Sequence, residues 1–274
     1  MQTETSSAVR FFLEKGGHIR VVVLGKPTDY SLRGLEGPHS MTIPRVKESV
    51  TLACLRLSEY ADKIYVPKLN MCNAEFGHLD KHTFHIESSG VRLIKGRDPI
   101  DSFDLNVDSS VLMRTADCVT LLLWHESSDT VVVGHCSRDS LISREEVQGR
   151  IRTRSHSSVI NGMMERFRHI SRTGIHALLI CGINGRNFVH NTKDRAHGVY
   201  NHRMFQFLHK NCWDNGNMLG GCLSLHGVIQ DQLREYGVPA ENIKVDDSDT
   251  FSNPDLWSHK KGDMGRNGIL ITYR

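Results

Sequence analysis

TADCVTLLLWHESSDTVVVGHC, Thr115 to Cys136, decides how the fold is read. Two apolar runs, VTLLLW and VVVG, flank the polar turn ESSD, and each is short and rich in valine and leucine. That pattern predicts two neighbouring strands, SSVLMRTADCVTLLLWH and DTVVVGHC, and runs without alternation fit strands covered on both faces. An antiparallel pairing of the two would bring Cys118, ahead of the first run, close to His135, behind the second.

Outward from this hairpin, strands and helices interleave. HIRVVVLG (His18 to Gly25) is predicted as a strand. RVKESVTLACLRLSEYADK (Arg45 to Lys63) carries apolar residues at helical spacing and reads as a helix opening after Pro44. KIYVPKL (Lys63 to Leu69) reads as an edge strand, because Pro67 cannot donate to a ladder. A strand is expected around Phe84 and Ile86, closed by a turn at Ser88-Ser89-Gly90. Downstream, a long helix is expected over Ser143 to Arg172, a strand over His176 to Gly185, helices over Val199 to Asn211 and Leu223 to Gly237, and strands at NIKVDD and NGILITY. No flexible linker or repeat divides the chain, which points to one mixed α/β domain over 1–274, with mixed sheets flanked by helices.

Composition limits the function. The chain has 274 residues, 39% of them apolar, and a formal net charge of +3 from 34 basic and 31 acidic residues. So balanced a count argues against a nucleic-acid partner. Four arginines cluster in SREEVQGRIRTRSHSS (Ser143 to Ser158), read as a solvated helix face ahead of an anion site. No apolar run reaches the roughly 18 residues that span a bilayer, and the N-terminus lacks a secretory h-region, so a cytoplasmic location without membrane contact is expected. Seven cysteines, an odd number with no CxxC pair, read as reduced thiols.

Cys118 and His135 admit three readings. Thiolate and imidazole are zinc ligands, and a catalytic zinc takes three protein donors and leaves one position open. The nearest source of a third donor is the stretch holding His78, His82 and His85. The same pair can act without metal, His135 as base and Cys118 as attacking thiolate. The plainest reading is a buried thiol beside a buried histidine.

The central run also resembles the motif of the YfiH or laccase-domain family, once described as multicopper polyphenol oxidases and later as purine nucleoside-processing enzymes. There a TADC segment is followed by an apolar strand, a turn and HAGWRG. LLICGINGRNFV, LSLHGVIQDQLREYGVPAENIKV and FSNPDLWSHKKGDMGRNGILI resemble three further family segments in the family's order. The motif-bearing part runs over 110–273, while 1–100 diverges. The resemblance implies a fold like that of YfiH and of cytotoxic necrotizing factor, and one zinc ion held by Cys118, His135 and a third histidine. His82 suits that third place by its distance along the chain to Cys118, and His85 by its strand context. Arg266 falls on an arginine of the closing motif. Arg138 matches the arginine of HAGWRG through a one-residue gap, and Lys260 lies in SHKK, which replaces SYRR. HCSRDS lacks the motif's tryptophan, and Asp249 replaces the cysteine of the family's CT pair.

The activity so implied is phosphorolysis of adenosine- or inosine-type nucleosides, or deamination of adenosine, with Arg138, Arg266 and Lys260 neutralising phosphate. The partners implied are a purine nucleoside and phosphate. A metal-free Cys/His protein-glutamine deamidase, whose substrate is a protein, and a degenerate non-catalytic binding module are the alternatives. A multicopper oxidase ranks below these, because it needs more histidines grouped at ligand spacing.

Overall fold

The computed structural model describes residues 8–69, 75–79, 81–150, 158–213 and 221–274. Its elements, in chain order, are β1 (Ala8–Glu14), β2 (Ile19–Leu24), α1 (Pro44–Leu57), β3 (Lys63–Leu69), β4 (Phe76–Gly77), β5 (His82–Ser88), β6 (Val91–Ile100) and β7 (Ser102–Asp104). They continue with β8 (Ser109–Thr115), β9 (Val119–His125), β10 (Val131–Cys136), α2 (Arg138–Leu141), α3 (Arg144–Val147), α4 (Val159–Glu165), β11 (Ile175–Ile180), α5 (Gly198–Lys210), α6 (Leu225–Glu235), β12 (Ile243–Val245) and β13 (Asn267–Tyr273).

The strands form two mixed sheets. One has the order β1-β2-β13-β8-β3-β6-β5, the other β12-β11-β9-β10-β7-β4. Alternation along each strand explains how they stack. Val21, Val23, Val111, Met113, Ile269 and Ile271 of the first sheet share a core with Leu122, Trp124, Val131, Val133, Leu178 and Ile180 of the second. Their neighbours turn outward: Val22, Leu112 and Leu270 toward α1, and Leu121, Leu123 and Ala177 toward α4 and α6. Both faces of the central strands are therefore buried, which is why VTLLLW and VVVG carry no polar alternation.

β9 and β10 form the expected hairpin, with His135 opposite Thr120 and Cys136 opposite Val119. The residues before it behave differently. SSVLMRTADCVTLLLWH does not run as one strand: β8 belongs to the seven-stranded sheet and β9 to the six-stranded one, so Thr115 to Val119 is the corner where the chain changes sheets. Thr115 Oγ1 donates to Cys118 O at 2.6 Å, tightening that corner.

Two further expectations are corrected. β3 lies inside its sheet between β8 and β6, because the register shift between Val66 and Lys68 takes Pro67 out of the ladder. The long helix over Ser143 to Arg172 is broken: α3 ends before Gly149, which adopts φ 70°, and α4 opens on its Ser158 cap. Arg152 and Arg154 of the arginine cluster fall outside the described residues, as does Cys72. The other six cysteines are free thiols. Among the described residues no helix is long and apolar enough to cross a membrane.

Candidate active site

The sheet-changing corner presents Cys118, and the hairpin register delivers His135 beside it. His135 has only 2% of its surface exposed. Its side chain turns to the inter-sheet side with Val133, while Cys136 turns toward the helices. One imidazole nitrogen, Nδ1, faces Asp101 Oδ1 at 3.4 Å, and the ring also hydrogen-bonds the Cys118 thiol. With Nδ1 occupied, Nε2 is the nitrogen left for Cys118. Asp101 is wholly buried, between the end of β6 and the start of β7, and its carbonyl accepts the His135 backbone N–H at 2.7 Å. Main chain and side chain of one residue thus fix the imidazole.

Burial by itself would depress the His135 pKa, but Cys118 and the Asp101 carboxylate outweigh it and raise the value to about 9. Burial, reinforced by Asp101 and Cys118, pushes the Cys136 thiol well above its ordinary value, so Cys136 is an inert core thiol.

Asp117 ties the far loop to this corner. Its carboxylate accepts the Thr250 and Ser258 hydroxyls at 2.8 and 2.7 Å and the Lys260 backbone N–H at 2.7 Å. Its carbonyl accepts the N–H of Ile183 at 3.0 Å. Asp249 accepts from the backbone N–H groups of Asn184, Phe251 and Ser252. Burial works against its ionisation, yet these donors hold its carboxyl below the usual range. Asp249 thus clamps its loop to the Asn184 segment.

The basic residues separate into two places. Arg138, first in α2, donates from Nε to Asp139 at 2.7 Å and from Nη1 to His190 Nδ1 at 3.4 Å. Asp139 also pairs with Arg144 at 2.7 Å, and both guanidinium groups lie over the Tyr200 ring. Burial first, then the charges of Arg138 and Lys260, depress the His190 pKa to about 4. Arg266 stands elsewhere, lining a cavity with Arg33 and Arg114. The anion clamp expected of Arg138, Lys260 and Arg266 is therefore not a single cluster.

His82 and His85 are exposed on β5, the outer strand of the seven-stranded sheet. Three strand spacings separate β5 from β8, about 14 Å. The structure brings neither beside Cys118, because the β5–β6 hairpin pairs on the far side of β3. Among the described residues no group of three His, Cys, Asp or Glu side chains is placed to hold an ion. A thiol and an imidazole are two of the donor types that zinc takes, and Asp101 lies at Nδ1 of the imidazole, where a carboxylate orients such a ring. The described residues do not complete a zinc site by themselves. Asp101, Asp117 and His190 were not singled out from the sequence, and each is a lone polar residue without a periodic signal.

Residues 105–274 match the family described as multi-copper polyphenol oxidoreductase laccase, and the chain belongs to that family. The fold agrees with solved structures of YfiH-type proteins. Neisseria meningitidis protein NMB0706 superposes with a TM-score of 0.64 at 14% identity, covering 96% of this chain and 98% of its own. YlmD from Geobacillus stearothermophilus gives 0.63 at 15% identity, and Bacillus licheniformis YfiH 0.60 at 15%, each covering 100% of this chain and 98% of its own. Among curated proteins none matches.

Proposed function

We propose that this protein is a purine nucleoside-processing enzyme, acting by phosphorolysis of adenosine- or inosine-type nucleosides or by deamination of adenosine. The observation that supports it is the line Cys118–His135–Asp101 at the corner between the sheets, in a chain of this family. Asp101 keeps Nδ1–H donating to a carboxylate and so presents Nε2 to Cys118. Asp117 holds the Ser258–Lys260 loop against the same corner, and Arg138 with Lys260 brings positive charge to the adjoining His190 cluster. Cys118 and His135 are the donors for a zinc ion that a further donor completes, whose chemistry when bound is to lower the pKa of a water toward roughly 7.

The test is metal analysis of protein purified without chelator, followed by assays of adenosine and inosine with and without phosphate. Stoichiometric zinc and turnover are expected, both lost in Cys118→Ala. Turnover retained by a metal-free Cys118→Ala protein would sink the proposal.

The same geometry favours one second reading. A thiol, an imidazole and a buried carboxylate in line are the parts of a metal-free thiolate enzyme such as a protein-glutamine deamidase. Cys118 Sγ would attack the amide carbon, His135 would give its proton to the departing ammonia, and water would release the acyl group from sulfur. Rapid alkylation of Cys118 by iodoacetamide in metal-free protein, slowed in Asp101→Asn, supports this reading; bound stoichiometric zinc excludes it.

A further inference from the structure

Where β3 and β8 end and β13 begins, the chain forms a cavity of about 580 Å³. Among the described residues six of its wall side chains are basic, Arg33, Lys68, Lys95, Arg97, Arg114 and Arg266, against one acid, Glu36. Of the six, only Arg97 has a carboxylate partner among the described residues, Asp98 at 3.1 Å. Four of the others, Arg33, Lys95, Arg114 and Arg266, donate to backbone carbonyls. Arg114 donates to the carbonyls of Ser31 and Pro67 at 2.9 and 3.0 Å. Arg33 donates to Met264 O, Lys95 to Leu35 O, and Arg266 to Gly265 O. Asp29 is near in the chain, but its oxygens accept from Ser31 and from the Arg266 backbone.

This arrangement is costly in the free protein. Burial, then the charge of Arg114, lowers the pKa of Lys95. Burial, then Arg266, brings Arg114 down to about 10. The Arg114 Nε–H is buried with no acceptor, which leaves a donor unsatisfied in the wall. Glu36 favours the charged form of Lys95 but one acid does not balance six cations, and a multivalent anion among them adds attractions that offset their mutual repulsion. Guanidinium forks match phosphate oxygens in pairs. The volume falls within the range of small-molecule pockets and exceeds what a bare phosphate fills. Leu69 and Phe84 add an apolar wall, with Lys95 over the Phe84 ring at 5.5 Å.

We propose that this cavity binds a phosphorylated small molecule, its phosphate among Lys68, Arg114 and Arg266 and its organic body against Phe84 and Leu69. The inference does not depend on the chemistry at Cys118, since Cys118 does not line the cavity.

Calorimetric titration of the full chain with ribose 5-phosphate, AMP, inorganic phosphate and ribose tests it. Binding of ribose 5-phosphate and AMP is expected, at least tenfold tighter than ribose or inorganic phosphate and weakened by added salt. Lys68 and Arg33 are exposed, so the double variant Lys68→Glu/Arg33→Glu should stay folded, as thermal unfolding would show, and lose at least tenfold in affinity. Lys47→Glu on α1 should bind as the parent does. The proposal fails if no phosphate ester binds, if charge reversal at Lys68 and Arg33 changes nothing, or if inorganic phosphate binds as tightly as the esters. It fails also if an oligonucleotide binds more tightly than AMP with the same sensitivity to these variants.

Discussion

His190 meets Arg138 and the charge of Lys260 from a site deep enough to disfavour protonation, and its pKa falls to about 4 from an ordinary value of 6.5. The sign of the stability effect follows from proton counts. Between pH 4 and 6.5 the unfolded chain binds a proton here that the folded chain does not, so this residue destabilises the fold as pH falls through that window. Replacing His190 by Gln should therefore make the urea midpoint drop less between pH 7 and pH 4.5 than it does in the parent; an equal drop would show that His190 is not held neutral. The cluster was hidden in the sequence for a physical reason. His190 lies in an irregular loop, and Arg138 meets it, with Asp139 and Tyr200 around the guanidinium, only through the packing of α2 and α5. Asp101 was hidden in the same way: one acidic residue between two short strands carries no pattern, and its link to His135 exists only once β7 pairs with β10. Cys118 and His135 were legible because the runs between and beside them set a hairpin register.

That hairpin depends on how its first strand begins. Gly182 follows β11 at φ 118° and accepts the Thr250 N–H, while a Cβ there would lie 2.7 Å from Val119 Cγ2 and 2.8 Å from His226 Cε1. Val119 opens β9 one residue after Cys118, and His226 Nε2 donates to Cys181 O at 2.7 Å, so neither neighbour can yield freely. Backbone strain and overpacking together should cost about 2–4 kcal/mol in Gly182→Ala. The expected readout is a lower thermal midpoint with slower alkylation or altered metal uptake at Cys118; an unchanged midpoint would mean that the β9 start tolerates the shift. At this scale the legible parts were those whose burial repeats along the chain: the stripe Val46, Val50, Ala53, Cys54 and Leu57 on α1, the Ser89-Gly90 turn with φ 51° and 76°, and the apolar runs of β9 and β10. The corner at TADC was not, because a strand that changes sheets keeps the same apolar composition on either side of the bend. Pro67 misled for a related reason, since a register shift lets an interior strand carry a residue that cannot donate.

In the whole molecule, the portion that matches the family begins at residue 105, yet the structure gives the preceding residues five of the seven strands in one sheet, β1, β2, β3, β5 and β6, together with β4 and β7 of the other. They also carry Asp101 and, in Arg33, Lys68, Lys95 and Arg97, most of the basic cavity. The divergence of 1–100 from the family's motifs is thus a matter of sequence alone, because sheet strands need only apolar residues at the right period to keep their place, and many residue choices satisfy that. A fragment of residues 105–274 would retain β8 and β13 but lose β2 and β3 beside them. Leu112 and Leu270, each at most 1% exposed in the full chain, would face water where α1 now covers them. Ribbons of two strands are marginal without a further partner, and about 25 cal/mol is lost for each Å² of apolar surface returned to water. The fragment should therefore give no cooperative thermal transition by circular dichroism and should not bind ribose 5-phosphate, whereas the full chain does both. A cooperative transition near that of the full chain would show that the motif-bearing part holds its own core and that the first hundred residues are an added layer on it.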